Sequence, residues 1–163
     1  MAELTNLESK LGEVLGLAMA AQGATDKVSK LDDLDGDLEQ TLERMNNEAK
    51  EAEERATEVA ASFEGKKTAI LEEAREVKQK ATEMMQDYLD RASDALDGFE
   101  FLTMAEAGEV GHWEILKTLN ERARNSGVQE LVEWGIPIQQ RHFEEARQGS
   151  LRLASEEDPN ETS

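Results

Sequence analysis

The sequence predicts an all-α, antiparallel helical bundle with an additional long helix, and three observations carry that expectation. Prolines occur only at positions 137 and 159 of 163 residues, so little interrupts helical backbone. Apolar residues recur at alternating steps of three and four along most of the chain, the spacing of a stripe on one helix face. Charged residues make up 34% and aromatics 4%, which suits long amphipathic helices cored by Leu, Val, Met and Ala.

The first helix opens at Thr5-x-x-Glu8, a capping box. Leu7, Leu11, Val14, Ala18, Ala21, Thr25 and Val28 form its seam, and the small residues of the second half let a neighbour approach closely. Gln22 lies beside that seam. The run Asp32-Asp33-Leu34-Asp35-Gly36-Asp37 invites a calcium-loop reading. With Gly36 at the sixth loop position, however, Leu31 and Leu42 would fall where carboxylates are required. The run reads instead as an acidic turn whose charge complements the next helix N-terminus.

A second helix from roughly Leu34 to Glu64 carries the seam Leu38, Leu42, Met45, Ala49, Ala52, Ala56, Val59 and Phe63, with Glu39 next to it. Gly65 is read as a reversal. A third segment then runs from Lys66 to about Ala92, with Ile70, Ala74, Val77, Ala81, Met84 and Tyr88 as its seam. The fourth helix begins near Asp94 and ends at Asn125-Ser126-Gly127, where Gly127 suits a left-handed cap. The fifth runs from Val128 to about Ala154, with a kink expected around Pro137. Residues 1–154 form one bundle in this reading, and 155–163 an acidic disordered tail.

The last two helices hold the candidate chemistry. Gly98, Leu102, Ala105, Glu109, His112, Leu116, Leu119 and Ala123 make one stripe, and Val128, Leu131, Gly135, Ile138, His142, Glu145 and Gly149 the other. Each stripe is interrupted by a Glu and a His, and these are the chain's two histidines. In an antiparallel pair turning about Gly127, His112 and His142 each stand 15 positions from the turn, and Glu109 and Glu145 each stand 18. Glu109-x-x-His112 would then face His142-x-x-Glu145. Buried carboxylates survive only with a partner or a metal. Two such Glu/His pairs are half the inward ligand set of di-iron carboxylate bundles. The competing reading is a metal-free network of buried Glu–His pairs. Glu106 is a further ligand candidate but reads better as a solvated flank, and Gln139-x-x-His142 as a weakened Glu-x-x-His. Met19, Met45, Met84, Met85 and Met104 read as core filler, and Trp113 and Trp134 as packing anchors.

Leu38-Glu-Gln-Thr41, Ala105-Glu-Ala-Gly-Glu-Val-Gly-His-Trp-Glu-Ile-Leu116 and the closing segment to Arg147 resemble the ferritin-like YciE/YciF proteins. The resemblance implies a ferritin-like bundle, a di-metal site of iron or manganese, and a link to stress responses. It matches Glu39 and Glu109 to acidic positions of that family. Leu42 and Gln22 depart from it, where a His and a Glu would be expected. The expected metal ligands are therefore Glu109, His112, His142 and Glu145, with Glu39 as the best acid from another helix, around an altered or vestigial site.

Other classes are excluded or disfavoured. A net charge of −19 leaves no basic surface for nucleic acid or anionic membranes. Without cysteine there is no disulfide or thiolate chemistry. No signal peptide is evident, and the most apolar window, Val14 to Ala21, is too short to span a bilayer, so a cytoplasmic location is expected. The alternative function is a non-enzymatic bundle that self-assembles or binds a protein partner through the charged hairpin from Leu38 to Tyr88.

Overall fold

The computed structural model describes residues 2–90 and 93–162. It contains five helices: α1 (Asn6–Ser29), α2 (Gly36–Ser62), α3 (Lys67–Tyr88), α4 (Ala95–Ala123) and α5 (Ser126–Ser155), with no strand among the described residues. Packing joins α1 to α2, α2 to α5, α5 to α4 and α4 to α1, a closed ring of four, while α3 lies outside it against α1. Neighbours in the ring run antiparallel. On α1 and α4, His112 reaches Glu13 and Gly98 abuts Val28; on α2 and α5, Asp35 pairs with Arg152 and Val59 meets Gly127. The α3 helix runs parallel to α1, since Gly12 meets Ile70 and Lys27 reaches the Leu89 carbonyl.

Local chemistry sets the ends. Thr5 and Glu8 form the capping box, with Thr5 N–H donating to Glu8 at 2.8 Å. The acidic run caps two helices: Asp35 accepts from Leu38 N–H at 3.0 Å, and Asp33 accepts from Ala95 N–H at 2.9 Å. Gly65, at φ +75°, makes the reversal between α2 and α3. These two helices pack sparsely on each other because both are laid on α1, where Gly12 and Gly16 admit α3. A Cβ at Gly16 would stand 2.3 Å from the Ala74 carbonyl oxygen.

Three expectations are corrected. The third segment stops at Tyr88 rather than near Ala92, which lies outside the described residues. Its seam also ends one residue on from the predicted positions: Met85 and Leu89 are buried, whereas Met84 and Tyr88 are exposed. The α4–α5 turn is Arg124-Asn125, not Asn125-Ser-Gly127. Arg124 takes the left-handed conformation at φ 53°, and Asn125 caps α5 by accepting from Val128 N–H at 2.9 Å. Asn120 locks the turn, accepting from Asn125 N–H and donating to its carbonyl, each at 3.0 Å. A capping Asn thus starts α5 early and places Gly127 in its first turn. The helix continues through Pro137.

The apolar core is split in two. One half gathers Leu11, Val14, Leu15, Ala56, Ile70, Trp113 and Leu131; the other gathers Val28, Leu38, Leu42, Phe99, Leu102 and Ala146. Between them, α4 contributes Glu106 and Glu109, α5 contributes Gln139 and His142, and α2 contributes Glu48. No described helix is long and apolar enough to cross a membrane.

Candidate functional site

Two aromatic–glycine contacts decide which face of α4 meets α5. A Cβ at Gly135 would lie 2.4 Å from the Trp113 indole, and one at Gly149 would lie 2.5 Å from the Phe99 ring. Each ring therefore occupies the space that a side chain would take. These pairs stand 11 and 25 positions from Arg124, so the antiparallel register turns about residue 124 rather than 127. The same register brings Glu106 opposite His142.

The buried face of α4 consequently runs Leu102, Glu106, Glu109, Trp113, Leu116 and Asn120. Relative to the expected stripe, Glu106 replaces Ala105 and Trp113 replaces His112. Both flanks fit helical spacing, and the larger Trp113 goes to the side that offers it Gly135. Sequence spacing alone leaves that choice open.

Glu106, Glu109 and His142 are 2%, 6% and 4% exposed. Gln139 donates its side-chain amide to Glu106, and His142 Nδ1 lies 3.9 Å from Glu106 Oε2. On its other side His142 Nε2 lies 3.1 Å from Glu48 Oε1. Glu48 is also held by Arg141, and its carboxyl sits below its usual range: burial pushes it up, but the hydrogen bonds from Arg141 and His142 outweigh that. An ionised Glu48 accepts only, so the neutral imidazole carries its proton on Nε2 and turns the Nδ1 lone pair inward.

Glu109 has neither a hydrogen bond nor an ion pair among the described residues, although it is buried. Burial drives its carboxyl well above the ordinary range, and the neighbouring Glu106 drives it further. Glu106 is raised to about 7 by burial, opposed by the Gln139 hydrogen bond. His142 is lowered by burial, against the pull of Glu48. Glu106 and Glu109 therefore hold their protons to higher pH than ordinary carboxyls, while Glu48 is ionised and the imidazole neutral.

Two spaces open on Glu109. A void of about 10 Å³ lies at the centre of the ring, bordered by Ala18 and Ala21 of α1, Glu48 of α2, Glu109 of α4, and Gln139 and His142 of α5. That is room for about one water or one bare ion. A larger groove of about 220 Å³ runs between α1, α3 and α4, with Glu106, Glu109 and His112 at one end.

Of the sequence-predicted ligands, only Glu109 and His142 border the central void. His112 is half-exposed on the α1–α4 edge, 3.2 Å from Glu13 and 3.2 Å from Lys10, and does not face His142. Its pKa is lowered by burial and by Lys10, with Glu13 opposing. Glu145 is turned to Arg44 at 2.5 Å and Arg141 at 3.6 Å. Glu39 is exposed beside Glu43 and Asp26 at another level. Gln22 binds the Ala18 carbonyl. Glu106, expected as a solvated flank, is instead fully enclosed, and Glu48 carries no signal in the sequence that separates it from the many acids of α2. Among the described residues no three His, Asp or Glu side chains already stand together as a metal-holding group.

No protein-family model, curated protein or solved structure matches the chain.

Proposed function

We propose that this protein is a ferritin-like bundle that takes up a single divalent cation, iron or manganese, between its four ring helices. The observation that carries the reading is Glu109: a residue only 6% exposed, with no hydrogen bond or ion pair among the described residues, beside a void sized for one ion. A cation there would offset the cost of burying an ionised carboxylate, several kcal/mol when unpaired.

The surrounding donors suit that role. Glu109 borders the void from α4 and His142 from α5, while Glu106 stands one turn from Glu109 and outside that lining. Glu48 holds the far imidazole nitrogen, as carboxylates commonly do behind metal-bound histidines. Carboxylate and imidazole together suit iron and manganese. The ring order α1-α2-α5-α4, with α3 as a helical crossover between two antiparallel pairs, supports the ferritin-like description.

A dinuclear centre fits poorly. It calls for about four carboxylates and two histidines, but His112 and Glu145 are paired elsewhere and Glu39 is exposed at another level.

The test is metal stoichiometry by anaerobic equilibrium dialysis of chelator-treated protein against Fe²⁺ or Mn²⁺. One equivalent is expected, lost in Glu109→Gln and in His142→Ala and retained in His112→Ala. Two equivalents would favour a dinuclear centre, and none would remove the reading.

A further inference from the structure

The groove between α1, α3 and α4 has a composition that the cation reading does not use. Its walls are Leu17, Ala21 and Ala24 from α1, Ala81 and Met85 from α3, and Phe101 from α4. Met84 and Met104, 54% and 41% exposed, stand at its opening. Its polar end is acidic: Glu106 and Glu109, with the half-exposed His112 beside them. Among the described residues no lysine or arginine lines it. Lys10, which touches His112 from outside, is held by Glu13 at 2.6 Å.

An apolar chamber of about 220 Å³ exceeds the ~150 Å³ that accepts a benzene ring. It has room for a short alkyl or phenylalkyl chain. The unpartnered, nine-tenths-buried Glu109 at its end calls for a donor that such a chain could bring. We propose that this groove binds a small amphipathic amine, its hydrocarbon part between α1 and α3 and its ammonium group on Glu109. An anionic head would meet two acids and, among the described residues, no lysine or arginine, and a bare ammonium would leave the apolar walls unfilled.

This inference shares Glu109 with the cation reading but does not rest on it; metal and amine would exclude each other on that carboxylate. The two are separated by residues that only one uses. Gly108 lines the groove, and a Cβ there meets nothing within 4 Å, so Gly108→Phe can fill the groove without distorting α4. His142 lies away from the groove, on the far side of Glu106.

The experiment is calorimetric titration of the chelator-treated full chain with hexylamine, hexanol, hexanoate and methylamine, at about 0.15 M salt to screen the acidic surface. Saturable binding of one hexylamine is expected, about tenfold or more tighter than hexanol, with hexanoate and methylamine silent. Gly108→Phe and Glu109→Gln should each remove that preference, whereas His142→Ala should keep it. Equal binding of hexanol and hexylamine, persistence in Gly108→Phe, or no hexylamine binding by the folded parent would each overturn the proposal. Loss of metal with amine binding intact would refute the cation reading alone.

Discussion

Trp113 occupies the place of the missing side chain at Gly135: a Cβ there would come within 2.4 Å of the indole. This contact, repeated by Phe99 over Gly149, sets the register that carries Glu106 to His142.

Gly135→Ala should therefore cost about 1–3 kcal/mol through overpacking, although alanine is the better helix former. Gly111→Ala is the control, since its Cβ would meet nothing within 4 Å, and should be neutral or stabilising by up to about 1 kcal/mol. Urea unfolding measures both. Equal effects would mean that the indole does not set the helix approach.

Much of this architecture was legible in the sequence, and the failures share one cause. Thr5-x-x-Glu8, the acidic turn and Gly65 act through local chemistry, so their roles can be read from neighbouring residues. The burial of Glu109 and His142 was legible because each sits at the middle of its apolar band. The flanks were not. Ala105 and Glu106, or His112 and Trp113, are adjacent choices on one helix, and only the glycines of α5 decide between them. The shift of the turn from Gly127 to Arg124 moved the mirror axis by three residues, enough to replace His112 with Glu106 opposite His142.

Stability should fall as pH rises from about 4.5 to about 7, in part because of Glu106. Its folded pKa is about 7 against 4.5 unfolded, so within that window the folded state holds a proton that the unfolded state has released. This stabilisation is fully present below 4.5 and is lost as pH rises through the folded value, amounting to roughly 3 kcal/mol. Glu106→Gln should flatten that part of the profile. Unfolding midpoints measured from pH 4.5 to 8 check it, and parallel profiles for parent and variant would contradict the raised pKa.

Both imidazoles should titrate below 6.5, His142 chiefly through burial and His112 through burial and then Lys10. Glu48→Gln should lower His142 further, because Glu48 supports its charged form, and should leave His112 unmoved. Proton NMR titration of the two rings reads this directly. Equal shifts in both would place the histidines in one site, against the geometry found.

The proposed cation site rests on Glu109 and His142 inside the ring, not on His112. Anomalous diffraction from crystals grown with Mn²⁺ tests it most directly. One peak within coordinating distance of Glu109 and His142 is the predicted result; a peak on His112 and Glu13, or none in the ring, would contradict it.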